Sequence, residues 1–227
     1  MADQLTFVLP SQPALERGDY FVSSSNAAVV DVIQTWHDWP QGKLVLVGPA
    51  GSGKTHLAHV WAALSGAAIV PAAGLAQAPV EVLADGALAV EDVECIAGDA
   101  AAEQALFHLH NLALANGRPL LLSAATPPMR WGLRLPDLAS RMQGTAIATV
   151  QPPDDALLAA VLVKQFGDRQ LLVGPKVIDW LTRNMDRSFA AAAQIVAALD
   201  AASLAQSRAV TQPLAASVLD KLRQDKA

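Results

Sequence analysis

Residues 48–55, Gly-Pro-Ala-Gly-Ser-Gly-Lys-Thr, bring together glycines, a lysine and a hydroxyl in the spacing of a complete phosphate-binding loop. Glycines let successive backbone N–H groups curl around an anion, and a helix opening directly after them adds the positive end of its dipole. In this pattern Lys54 reaches the β- and γ-phosphates of a nucleotide, and the Thr55 hydroxyl ligates Mg²⁺. Gly48, Pro49, Ala50, Gly51, Ser52, Gly53, Lys54, Thr55 and His56 therefore form the candidate cofactor-binding set. A plain glycine turn between a strand and a helix is the alternative, and a full match in this setting argues against it.

A second acidic site is expected in such a protein at the end of another apolar strand. Here "ALAVED" (87–92) ends in Glu91 and Asp92. Glu91 would hold the magnesium ion through water and Asp92 would orient an attacking water; the alternative is two solvated acids at a strand end. His56 and His59 flank one helical turn, and His108 and His110 lie two apart. With no neighbouring Cys and no H-E-x-x-H pattern, they read as packing histidines, so no metal beyond Mg²⁺ is assigned.

These residues need a scaffold. "KLVLVG" (43–48) is a buried-strand pattern, followed by the loop and an amphipathic stretch from Thr55 to Leu64. "ALAVED", "RPLLLSAA" (118–125) and "TAIATVQPP" (145–153) are further strands, with a helix over 103–115 and a first helix from Asn26 to Trp39. Strands alternating with helices predict a parallel sheet. Beyond the paired prolines the pattern changes to helices alone, over 154–166, 175–185, 188–206 and 213–223, with Pro175 and Pro213 placed near first turns. Phe189, Ala192, Ile195 and Leu199 keep to one side of the alanine-rich third of these. The expected organisation is a flexible tail (1–19), an α/β nucleotide-binding domain with a parallel sheet flanked by helices (20–152), and a small all-helical domain (153–227).

Composition narrows the function classes. A formal charge of −5 over 227 residues argues against a broad basic surface for duplex DNA. Cys95 is the single cysteine, which excludes an intrachain disulfide and a four-cysteine zinc site. No apolar run reaches the roughly 18 residues of a membrane span, and the N-terminus lacks a signal-peptide pattern. A cytoplasmic globular protein is expected.

"GPAGSGKTHLAHV" (48–60), "VEDVECIAGDAAAEQALFHLHN" (90–111) and "LPDLASRM" (135–142) resemble, in order and approximate spacing, the AAA+ domain of the bacterial DnaA/Hda family. The resemblance runs from about Tyr20 to the end. It implies an AAA+ sheet followed by a helical lid, with ADP or ATP and Mg²⁺ as ligands. It implies base contacts from Phe21 and Val22, and an arginine finger at Arg141 offered to nucleotide on a neighbouring subunit. It also exposes departures. Ala124 or Ala125 stands where a polar sensor is expected, and Ala190 where the lid presents an arginine, so that either Arg187 a turn earlier substitutes or nothing does. Missing donors to a γ-phosphate cost a few kcal/mol each at a preorganised site, so weak turnover alone is expected, with nucleotide acting as a clamp between the α/β unit and the lid.

Partners follow from the same resemblance. Gln4-Leu5-Thr6-Phe7, with Leu9 beyond, resembles the peptide that docks on the DNA polymerase III sliding clamp, with Leu5 and Phe7 or Leu9 in an apolar pocket and Gln4 at its rim. The alternative is a first strand or a segment packed on the domain. The sequence stops at Ala227 without a helix-turn-helix pattern, so DNA is expected to be reached only through the clamp; self-association stays open. The implied function is a clamp-associated regulator that promotes hydrolysis of DnaA-bound ATP and so inactivates the initiator in the bacterial cytoplasm. A self-contained ATPase such as a helicase loader, and a DNA-binding initiator remnant, are the competing readings.

Overall fold

Lys43–Val47 (β1) is buried at every position, as a strand must be when both of its faces are covered. In the computed structural model, which describes residues 21–206 and 208–224, β1 lies between β4 (Leu120–Ala124) and β5 (Ala146–Thr149). β3 (Leu88–Glu91) pairs with β4, and β2 (Ala68–Pro71) closes the far edge, giving the order β2-β3-β4-β1-β5 with every pair parallel. This is the parallel sheet the sequence predicts.

Alternation along the strands divides the core in two. Val45, Val47, Leu88, Val90, Leu120 and Leu122 face α3 (Val80–Leu83), α4 (Ala100–Ala115) and α5 (Pro136–Gln143). Leu44, Leu46, Ala89, Leu121 and Ala148 face α1 (Ala27–Gln34) and α2 (Lys54–Ser65). A third core joins α6 (Asp155–Asp168), α7 (Pro175–Asn184), α8 (Phe189–Gln206) and α9 (Gln212–Gln224), with Leu158, Leu162, Phe166, Leu181, Ile195 and Leu199 inside it. No helix among the described residues is long and apolar enough to cross a membrane.

The short helices α3 and α5 were not expected, and two further elements differ from the expectation. The first helix ends at Gln34, not Trp39: the Thr35 hydroxyl bonds back to the Asp31 carbonyl, and two tight turns carry the chain through Trp36–Asp38 and Pro40–Gly42. Trp36 and Trp39 still reach the core, where Trp39 stacks on Trp61 at 5.2 Å, so apolar spacing continues past the end of the helix. β2 is the strand the sequence reading lacks. It has four residues, ends in Pro71 and is only partly buried, as an edge strand with a proline can be.

Glu103 on α4 fixes the approach to α5. Its carboxylate is 1 % exposed and accepts N–H bonds from Gly98 at 2.7 Å, Arg134 at 2.9 Å and Leu135 at 2.7 Å. Burial alone would push the carboxyl up, but these three donors and the Arg134 guanidinium outweigh it and hold the group below the usual carboxylate range.

Candidate nucleotide site

The phosphate loop leaves the carboxyl end of β1, and α2 begins at Lys54. Gly51 and Gly53 take φ values of +71° and +99°, which side chains other than glycine's rarely adopt. Space forbids a side chain as well. A Cβ on Gly51 would meet the Ala190 and Ser188 Cβ atoms at 3.0 Å, and one on Gly53 would meet the Phe189 ring at 2.8 Å. The first turn of α8 is docked on the loop, and the Phe189 N–H donates to the Gly51 carbonyl at 2.8 Å.

Lys54 is buried, and its ammonium donates to the Gly48 and Pro49 carbonyls at 2.8 and 3.1 Å. The loop thus holds its cation in place. Ser52 Oγ is buried without a partner, an orphan hydroxyl that a phosphate oxygen would satisfy. Thr55 is exposed on the cleft, as a hydroxyl offered to Mg²⁺ would be.

The two acids separate. Asp92 leaves β3 in a left-handed conformation (φ +56°), which aspartate tolerates. Its N–H donates to Ser123 Oγ at 3.2 Å, and it lines the cleft. Glu91 keeps strand geometry, so alternation turns it toward the sheet face that α2 covers. Its Oε1 is buried without a partner, and Glu91 is not part of the cleft wall.

The cleft, phosphate loop included, encloses about 640 Å³ between the loop, α2, α6 and α8, within the range that accommodates a small ligand. Phe21, Val150, Leu157 and Val161 contribute apolar lining, while His56 and His59 stand along α2. Of the two residues expected at the base, Phe21 lines the cleft, and Val22, 51 % exposed, is not part of its wall.

The segment carrying Phe21 is pinned. The Asn26 amide donates to the Phe21 carbonyl at 2.9 Å and accepts from the Ser23 N–H at 2.7 Å. Asp154 caps α6 by accepting from the Leu157 N–H at 2.8 Å and also receives the Ser24 hydroxyl at 3.0 Å. That N–H bond first, and the serine donors after it, hold the Asp154 carboxyl below its ordinary range although burial opposes them. Asp154→Ala is expected to cost about 1 kcal/mol, the usual value of a lost N-cap, and to weaken nucleotide binding by freeing the Phe21 segment. Because the folded pKa is depressed, the contribution is complete above the unfolded value of about 3.9 and fades as pH falls through the folded one. Urea melts of parent and variant at pH 7 and below pH 4 check this; a constant gap would refute it.

Arg141 lies elsewhere. It is exposed on the last turn of α5, just before β5. Since Leu44 pairs with Ala146, it sits at the amino end of β1, while the phosphate loop leaves the carboxyl end. The five residues between span about 16 Å. Its carbonyl accepts from Thr145 Oγ1 at 2.9 Å and from the buried Lys43 ammonium at 3.5 Å, a favourable place for a cation at a helix C-terminus. Lys43 Nζ also approaches His110 Nε2 at 3.1 Å, so a charged lysine assigns the imidazole proton to Nδ1, toward Asn111 Oδ1. Burial first, and the Arg141 charge second, lower the Lys43 pKa; burial likewise lowers that of His110.

Residues 155–219 match the family model described as "Hda, lid domain". Domain III of the replication initiation protein DnaA from Thermotoga maritima superposes with a TM-score of 0.77 at 17 % identity, over 94 % of this chain and 98 % of that one. AMPPCP-bound DnaA from Aquifex aeolicus gives 0.68 at 18 %, over 82 % of this chain and 65 % of that one. The chain has the fold of DnaA domain III, and its helical segment is similar to the Hda lid domain. At these identities the solved structures speak for the fold; the family match speaks for the lid.

This helical segment brings Phe189, Ala190 and Ala193 to the cleft. Ala190 faces the phosphate loop with no group that could bond a phosphate. Arg187 does not replace it: the guanidinium binds Asp155 Oδ1 at 2.7 Å on the surface and is absent from the cleft wall. At the end of β4, Ala124 is buried and Ala125 exposed, and neither carries a polar side chain.

Sequence reasoning passed over Asp154, Glu103 and Lys43. Asp154 had a signal, a capping residue between Pro152-Pro153 and an apolar helical run. Lys43 had one too, a cation heading a strand otherwise wholly apolar. Gln4, Leu5, Phe7 and Leu9 lie outside the described residues.

Proposed function

We propose that this chain is a nucleotide-holding regulator of replication initiation, which offers Arg141 to ATP on a neighbouring DnaA subunit and thereby promotes its hydrolysis. The observation that carries the reading is the placement of Arg141. It is exposed, its backbone is anchored by Thr145 and Lys43, and it stands at the opposite end of β1 from its own phosphate loop. A cation so placed has no access to nucleotide in its own cleft and is available to a neighbour's. The Hda-type lid supports the same reading.

Within the cleft, the Gly51–Thr55 backbone and Lys54 would bind the phosphates of ADP or ATP, and Thr55 with Glu91 would hold Mg²⁺. The ion, when bound, would neutralise phosphate charge. Asp92 can orient a water, but Ala124 and Ala190 provide no donor for charge developing on a γ-phosphate, which supports slow turnover and a holding role. AMPPCP bound to the Aquifex aeolicus initiator supports a nucleotide in the corresponding cleft here. The clamp peptide Gln4, Leu5, Phe7 and Leu9 would raise the local concentration of the chain near its target.

The test combines this chain, sliding clamp loaded on DNA, and DnaA carrying labelled ATP, and follows label conversion to ADP. Conversion should require the chain and be accelerated by the clamp. Brisk hydrolysis by the chain alone, with no effect on DnaA-bound ATP, would replace the proposal with the self-contained ATPase.

A further inference from the structure

The last turn of α5 ends on carbonyls that are already taken. The Gly144 and Thr145 N–H groups donate to the Ser140 and Met142 carbonyls, each at 3.1 Å. The Arg141 carbonyl between them receives the Thr145 hydroxyl at 2.9 Å and the Lys43 ammonium at 3.5 Å, a donor for each lone pair of the oxygen. An arginine near a helix C-terminus can bond such carbonyls itself, folding back on its own helix. Here the Arg141 guanidinium is exposed and has no hydrogen bond or ion pair among the described residues.

Lys43 is an unexpected donor at that place. It heads β1, is 3 % exposed, and pairs with no carboxylate among the described residues; its ammonium has only the Arg141 carbonyl and His110 Nε2, the latter at 3.1 Å, for partners. A buried charge without a counter-ion costs free energy. An aliphatic residue would avoid that cost, as Leu44, Val45, Leu46 and Val47 do in the rest of the strand. What the lysine adds is a positive charge beneath the root of Arg141, which attracts the negative end of α5 and repels the guanidinium. Burial first, and the Arg141 charge second, lower the Lys43 pKa, so the two cations act on each other.

We propose that Lys43 is a positioning residue for Arg141: it occupies the helix-end carbonyl that the guanidinium would otherwise take and, as a like charge beneath it, keeps the guanidinium turned outward for nucleotide on a neighbouring subunit. The inference rests on the role proposed for Arg141 above and extends it to a buried residue that touches no substrate. Without Lys43 the guanidinium has an acceptor to fold onto, and the fraction of bound complexes in which it points at the neighbour falls. The rate at saturation falls with that fraction, while the surfaces that bring two subunits together are unchanged.

The test is single-turnover conversion of labelled ATP on DnaA, with sliding clamp loaded on DNA, over rising concentrations of parent and variant chains. Lys43→Met, which keeps the length of the stem and removes the charge, should lower the saturating rate about tenfold and leave the half-saturating concentration within about twofold of the parent's. It should melt at or above the parental midpoint, because an apolar chain in place of a buried charge is often neutral or stabilising. Lys43→Arg, which keeps a charge and its donors, should recover most of the lost rate. Adding Lys43→Met to Arg141→Ala should lower the residual rate no further, since residues that act through one another are not additive. Should Lys43→Met not fold, Lys43→Gln, also uncharged, takes its place with the same expectation. A parental saturating rate in the uncharged variant, an effect confined to its half-saturating concentration, or a folded Lys43→Arg that fails equally overturns the role of Lys43 alone. Parental stimulation by Arg141→Ala overturns the role of Arg141 and this inference with it.

Discussion

Arg141→Ala is expected to reduce stimulation of DnaA-bound ATP hydrolysis by about 10³-fold or more, the scale of a lost arginine finger, with the chain's own ADP affinity unchanged. The two results diverge because the residues are at opposite ends of β1. The guanidinium is exposed, so its removal leaves no buried group unpaired, and Lys43 and Thr145 bond its backbone carbonyl, which alanine retains. The variant should therefore melt like the parent. Single-turnover conversion of labelled ATP on DnaA measures the first quantity and calorimetry the second. Conversion at the parental rate, at saturating concentration of the variant, would end the assignment of Arg141.

Glu103→Ala should be the most destabilising single change of a polar side chain, by about 3 kcal/mol or more. It strips the acceptor from three N–H groups around one buried carboxylate, and each buried orphan costs about 1–3 kcal/mol. Glu103→Gln keeps one carbonyl oxygen and should fall between. The carboxyl is held below its ordinary range, so its contribution is complete above the unfolded value of about 4.3 and is lost as pH falls through the folded one. Denaturation midpoints of parent and alanine variant should converge in acid. A difference within about 0.5 kcal/mol at pH 7, typical of an ordinary surface position, would show that Glu103 does not hold the α5 approach.

What could be read in advance was what is contiguous. The phosphate loop is eight consecutive residues between a strand and a helix, and the lid helices are long periodic runs, so local pattern was enough. β2 was not legible because four half-buried residues ending in proline carry little periodic signal. The first helix was overrun because Trp36 and Trp39 continue the apolar spacing after the hydrogen-bond ladder has stopped. The rest depends on distance along the chain: Asp154 meets Ser24 across 130 positions and Lys43 meets Arg141 across 98, and no local window contains both partners.

The central strand gives the molecule a direction. Under the proposed function its carboxyl end opens into the cleft that would receive a neighbour's cation, and its amino end lies beside the residue that would be given, so the two surfaces of that exchange would be unlike patches on opposite poles. A contact joining unlike poles is heterologous, and repetition of it generates a row or an open ring with two distinguishable ends. In such a row the roles are not reciprocal. Under the same proposal a subunit acted upon through its cleft would act in turn only on the next one along, and a chain whose own cleft hydrolysed slowly would persist as the donor at its position while its neighbour changed state.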